Sequence, residues 1–206
     1  MHPTTDVSML QPLATLMLAS AVVMGSPGPS TMSAMAVCAA FGWRRSLAYV
    51  LGLIAGTMAI LISVAAGVVA MLLSQPGLAR ALIYASAAYI LYLAFRIAKA
   101  PPLIGQAPAV SAPSFVPGLV LGVANPKAWL SIAAVFAAST LVDGSKARDG
   151  LLKVAVLTVM IVAIHAVWVM AGASLARVLR NPRTSRVANI TFAAILAATA
   201  IALPLR

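Results

Sequence analysis

The chain has 206 residues, of which 63% are hydrophobic and 8% charged, with a mean hydropathy of +1.05 and a formal net charge of +11. A soluble domain carries roughly 25% charged residues to cover its surface, so a water-soluble enzyme or nucleic-acid-binding domain is excluded. The 14 basic residues fall in loops and at helix ends, where they read as a membrane-topology signal rather than as a nucleic-acid footprint.

No Asp, Glu, Lys or Arg occurs within residues 7–43, 46–79, 100–126 or 154–176. A bilayer core is crossed by about 20 apolar residues in helical form. The sequence therefore predicts an all-α membrane protein of six spans, at residues 10–41, 47–73, 78–98, 115–141, 151–176 and 187–203. The first lacks a basic n-region and a small-residue cleavage site, so a retained span is expected rather than a cleaved signal peptide. In the third, Arg80 and Arg96 bracket the apolar stretch and can snorkel to the interfaces. Cys38 is the lone cysteine and lies within an apolar segment, so no intramolecular disulfide can form.

Turn residues mark the connections: Gly42-Trp43-Arg44-Arg45, Ser74-Gln75-Pro76-Gly77, Asp143-Gly144 and Asn181-Pro182. The longest connector, residues 99–114, holds Pro101, Pro102, Pro108 and Pro113 and is expected to be an extended linker. It divides the chain into a three-span half at 1–99, a cytoplasmic linker at 100–114 and a second three-span half at 115–206. With the N-terminus outside, the inner loops hold eight basic residues and the outer side five. That excess predicts both termini outside and the linker in the cytoplasm.

Each half begins with a span interrupted at proline: Ser26-Pro27-Gly28-Pro29-Ser30, then Asn125-Pro126-Lys127. Pro29 and Pro126 stand 97 positions apart, near half the chain. An odd number of spans per half makes the second half inverted relative to the first, a repeat layout found in secondary transporters.

The breaks carry the chemistry. Pro27 and Pro29 remove two backbone donors, so a helix must stop there, and Ser26 or Gly28 can cap a new one. Asn125 is a preferred N-cap, and Pro126 suits the first helical position. Lys127 then lies in the first turn, where a cation opposes the helix dipole. An ammonium at membrane depth also costs about 2.5–3.5 kcal/mol on insertion scales. Both penalties are offset if an anionic guest sits there, because helix N-termini bind carboxylates. The candidate substrate site is Pro27, Gly28, Pro29, Ser30, Thr31, Asn125, Pro126 and Lys127. A lone proline kink or a snorkelling lysine is the structural alternative.

His165 is the histidine within a predicted span, a candidate proton relay or a structural residue bonded to a carbonyl. Gly52 with Gly56, and Gly118 with Gly122, permit close helix approach, read as packing within the protein ahead of homo-oligomerisation.

Gly25-Ser26-Pro27-Gly28-Pro29, Gly42-Trp43-Arg44-Arg45, Gly52-Leu53-Ile54-Ala55-Gly56 and Asn125-Pro126-Lys127-Ala128-Trp129 resemble the LysE/RhtB family of bacterial amino-acid exporters, as does the third-span ending 89–96. The resemblance covers nearly the whole chain in order. It implies a six-span fold in the bacterial cytoplasmic membrane and amino-acid efflux driven by the proton-motive force, with no cofactor. Many members carry an acidic residue after Pro-Gly-Pro, where this chain has Ser30. The acids here are Asp6, Asp143 and Asp149, at predicted outer ends or loops. A neutral amino acid is therefore expected over a cationic one, its α-amine resting on carbonyls freed by the breaks.

An intramembrane enzyme would want paired carboxylates or a Ser/His pair, and His165 has no carboxylate to support it. Neither metal ligands nor a P-loop stand out. A permease or channel for an inorganic anion or other small metabolite would fit Lys127 nearly as well and stands as the alternative.

Overall fold

In the computed structural model, which describes residues 5–67, 76–99, 111–178 and 182–202, every regular element is helical. Helix α1 (Thr5–Ala19) runs into a π-helical segment (Ser20–Met24), and α2 (Pro29–Phe41) follows a short break. Next come α3 (Trp43–Ala65), α4 (Pro76–Ala98), α5 (Phe115–Ala124), α6 (Pro126–Ala137), α7 (Lys146–Val178) and α8 (Pro182–Ala202).

Both predicted interruptions are real. The chain bends by 65° between Met9–Met24 and Pro29–Phe41, and by 58° between Phe115–Ala124 and Pro126–Ala137. Two helices, Trp43–Ala65 and Lys146–Leu175, are long and apolar enough to cross a membrane, and each bent pair passes the same test as a unit. That makes two to four candidate spans among the described residues.

Several boundaries differ from expectation. Gly42, at φ 82°, is the whole connection between α2 and α3. A positive φ suits glycine, and Trp43, Arg44 and Arg45 therefore belong to the first turn of α3. Helix α3 stops at Ala65, turning through Gly67 at φ 78°, and positions 68–73 of the second predicted span lie outside the described residues. Pro76 and Pro182 open α4 and α8, the positions where a missing N–H costs least. Helix α6 ends at Ala137, short of the predicted 141. Of the linker, 111–114 is non-helical, and 100–110 lies outside the described residues.

The glycine motifs pack against each other inside the chain. A methyl group built on Gly56 would stand 2.8 Å from Gly122 Cα, and one on Gly122 would stand 2.9 Å from Gly56 Cα. Gly52 lies against the Phe115 carbonyl and Gly118 against that of Tyr49. Only hydrogen side chains let α3 and α5 come so near. Helix α7 likewise presses Gly172 onto the Met35 carbonyl of α2, and α4 pairs with α8.

Burial forms two clusters. One joins α2, α3, α4 and α8 through residues such as Phe41, Tyr49, Leu53, Ile90 and Leu196. The other joins α1, α3, α6 and α7 through Leu16, Ile60, Ile132, Leu157 and Ile161. The outside is apolar too: Leu51, Val159, Val167 and Met170 are each more than half exposed. In the most apolar window of α7 only 17% of residues are buried, at a hydropathy of 2.5, a surface suited to hydrocarbon rather than water.

Candidate functional site

The two breaks meet. Gly28, with an extended backbone (φ −167°, ψ 178°), is the N-cap of α2, and Pro29 takes its first position. The Gly28 N–H donates to Thr31 Oγ1 at 2.9 Å, so the threonine closes the helix entrance from within. Opposite it, Asn125 caps α6: its Oδ1 accepts from Lys127 N at 3.1 Å. Its Nδ2 donates to Ser30 Oγ at 2.7 Å, so one side chain caps its own helix and ties it to the other.

Lys127 crosses the gap in the reverse direction. Its ammonium donates to the carbonyl of Ser26 and, at 3.2 Å, to that of Pro27. The side chain lies directly over Gly28, where a built methyl group would stand 2.5 Å from Lys127 Cδ and 3.0 Å from Nζ. Glycine is required here for space rather than for dihedral freedom. The carbonyls expected to hold a substrate amine are therefore engaged by the protein's own lysine; they lie in the non-helical break before α2, outside its i→i−4 ladder.

These groups line one cavity of about 40 Å³, together with Met24, Thr57, Ala128, Ser131, Ile132, Ile161, Ile164 and His165. One water needs roughly 10–15 Å³ measured in this way, so the cavity admits a few waters or one small polar group. Ser30, Thr31, Thr57, Asn125, Ser131 and His165 are all buried around it, and Lys127 is half-buried. Polar side chains in an apolar surrounding are costly unless each finds a partner; here Thr57 Oγ1 donates to the Leu53 carbonyl at 2.8 Å, and Asn125 pairs with Ser30.

Of the sequence-predicted site residues, Gly28, Ser30, Thr31, Asn125, Lys127 and His165 line this cavity, whereas Pro27, Pro29 and Pro126 shape the backbone beside it. The donors of the first turn of α6 are largely spent, since Lys127 N bonds the Asn125 side chain and Ala128 N the Asn125 carbonyl at 3.0 Å. The Lys127 ammonium and the hydroxyls are thus the groups best placed to receive an anion.

Three residues were not foreseen. Ser131 is one turn beyond Lys127 and shares its face, a spacing that could have revealed it. Thr57 lies beside Gly56, on the face that packs inward. Trp168, one turn after His165, donates from Nε1 to the Gly25 carbonyl at 3.1 Å and so fastens α7 to the first break. That carbonyl is left over where the π-helical segment ends, closed by Gly25 N on Ser20 O at 3.2 Å.

A sequence profile of the LysE type translocator family matches residues 21–205 of this chain. The comparison with curated proteins and the comparison with solved structures give no significant match.

Proposed function

Because this chain belongs to the LysE type translocator family, whose members are membrane transporters, we propose that it is a secondary transporter exporting neutral amino acids, or close derivatives, across the bacterial cytoplasmic membrane at the expense of the proton-motive force. The observation that carries this is the meeting of two broken helices at one half-buried ammonium, Lys127, in a cavity whose lining, among the described residues, holds hydroxyls and no carboxylate. An α-carboxylate exchanges with the Ser26 and Pro27 carbonyls for the ammonium of Lys127, gaining a charge-assisted contact. Ser30 supplies a hydroxyl donor, and Thr31 does so on giving up its bond to the Gly28 carbonyl at 3.2 Å. With no acid among the described residues lining the cavity, a substrate carrying a second cation lacks a partner for it, which favours neutral side chains.

The six-span, inverted-repeat architecture belongs to the same proposal. It is supported by the similar bends at the two breaks and by packing of α3 on α5 and of α2 on α7 across the halves. Both termini outside follows from the count of basic residues.

The test is efflux from cells preloaded with a mixed-dipeptide pool, with and without expression of the protein. Faster, uncoupler-sensitive release of one or a few neutral amino acids supports the function. Unchanged amino-acid release, together with faster chloride or phosphate flux in proteoliposomes, assigns an anion permease instead. Lys127→Ala should abolish release while leaving membrane insertion intact.

A further inference from the structure

His165 occupies the cavity wall contributed by α7 and is 3% exposed. Its Nδ1 lies 2.8 Å from the Ile161 carbonyl oxygen. A carbonyl can only accept, so Nδ1 carries the hydrogen, and in the neutral ring Nε2 holds a lone pair. Nε2 is buried and has no hydrogen-bond partner. A buried acceptor left unsatisfied beside a cavity is costly, and the site geometry has already taken the alternative acceptors: the Ser26 and Pro27 carbonyls bind Lys127.

We infer that His165 Nε2 is the shared binding point for the substrate's ammonium and for the coupling proton, which compete for one lone pair. The inference rests on the proposed amino-acid export. A zwitterion bound between α6 and α7, which the cavity of about 40 Å³ admits only on widening, sets its carboxylate on Lys127 and one ammonium N–H on His165 Nε2. When a proton occupies Nε2, both ring nitrogens become donors and the ammonium loses its acceptor. Facing outward, the site releases substrate and Nε2 takes a proton from the outer solution. Facing inward, that proton returns to the cytoplasmic water and the next substrate binds. One proton enters for each substrate molecule that leaves, and no other group changes its protonation. Around the imidazole, α6 presents Lys127, while α2, α3 and the π-helical segment present Ser30, Thr31, Thr57 and Met24 to the same cavity. Among the described residues lining it, His165 and Lys127 are the titratable pair.

The experiment uses the full-length protein in proteoliposomes with a mixture of radiolabelled neutral L-amino acids, comparing wild type with His165→Gln. Glutamine keeps an oxygen acceptor and removes the titration. Exchange of labelled for unlabelled amino acid by His165→Gln should weaken and lose its pH dependence, whereas accumulation driven by a pH gradient should fall to background. A structural role would reduce both and leave the residual exchange as pH-dependent as that of wild type. In detergent, the amino acid that wild type exchanges should release a proton on binding, and its apparent affinity should weaken by about tenfold per pH unit once the histidine is protonated. Gradient-driven accumulation intact in His165→Gln overturns the inference, as does proton-free binding to wild type, a measurement that stands even if the variant does not fold. Wild type that exchanges no amino acid overturns the export function itself, and this inference with it.

Discussion

Asn125 Nδ2 and Ser30 Oγ are 2.7 Å apart although 95 positions separate them in the chain. The same asparagine caps α6 through Oδ1, so its two ends do different jobs and each can be removed separately. Asn125→Asp keeps the cap acceptor, loses the donor to Ser30 and places an anion near Lys127. Asn125→Ala removes both. The alanine variant should lose about 1–3 kcal/mol of stability, from the cap and the buried hydroxyl together, read as a lower unfolding midpoint in detergent. The aspartate variant should stay better folded yet transport less, because its carboxylate competes with the substrate's for Lys127. Equal transport by Asn125→Asp and wild type would separate the ammonium from substrate binding.

Gly28 is predicted to act only through Lys127. A methyl group at Gly28 meets the lysine stem at 2.5 Å, and the backbone there is extended and open to any residue. Gly28→Ala should therefore displace the ammonium from the Ser26 and Pro27 carbonyls. An ammonium pushed off the cavity loses its charge-assisted contact to the substrate carboxylate, about 1.5–3 kcal/mol, which weakens binding roughly tenfold to a hundredfold. In the Lys127→Ala background the same substitution should add little, since the clashing side chain is gone. A double-mutant cycle on thermal stability measures that coupling directly, and additivity would show that the glycine is required for another reason.

The breaks were legible because proline and asparagine act locally: Pro29 and Pro126 fix helix starts from their own covalent structure, and Asn125 caps within two residues. The inward-facing glycine pairs were legible for the same reason, as spacing on one helix face. What the sequence did not reveal is where Lys127 points. The partner carbonyls of Ser26 and Pro27 lie about a hundred positions away, and a local reading left them open for a substrate amine. The orphaned Nε2 of His165 was likewise invisible, because satisfaction of a buried nitrogen depends on every helix around it. Gly42 as a one-residue connection escaped as well. Trp43, Arg44 and Arg45 read as loop residues, yet the exposed tryptophan and Arg44, whose guanidinium lies 5.3 Å from the indole centroid, are compatible with a helix end at an interface.

The glycines also separate packing from mere presence in a helix. Gly56→Ala and Gly118→Ala press a methyl group onto backbone of the facing helix, at 2.8 Å from Gly122 Cα in the first case and against the Tyr49 carbonyl in the second. Backbone cannot swing aside as a side chain does, so each should cost about 1–3 kcal/mol. Gly150 in α7 has nothing within 4 Å of a built methyl group, and alanine there should be neutral or stabilising by up to about 1 kcal/mol through helix propensity. Unfolding midpoints of the three variants in one detergent make the comparison. A stable Gly56→Ala protein would mean that α3 and α5 are not in this register.

Asp149 should prove structural rather than part of transport. It sits in the first turn of α7 and its Oδ1 accepts from Leu141 N at 2.6 Å and Val142 N at 3.2 Å, pinning the segment after α6. Its Oδ2 meets Lys153 Nζ at 2.7 Å, with the two side chains 14% and 7% exposed, and the same ammonium lies 5.1 Å from the Phe136 ring centroid. Asp149→Ala removes the acceptor for two amides and strands a nearly buried ammonium. Breaking such a pair from one side costs about 3–5 kcal/mol. Asp149→Ala with Lys153→Met should recover part of that loss, since no charge is then left without a partner. Asp149 does not line the cavity, so the folded fraction of either variant should transport the same substrates as wild type. Thermal unfolding and substrate-profile assays on purified protein check both halves: a loss within 0.5 kcal/mol, the scale of an ordinary surface substitution of about that size, would show that the segment is held by something else.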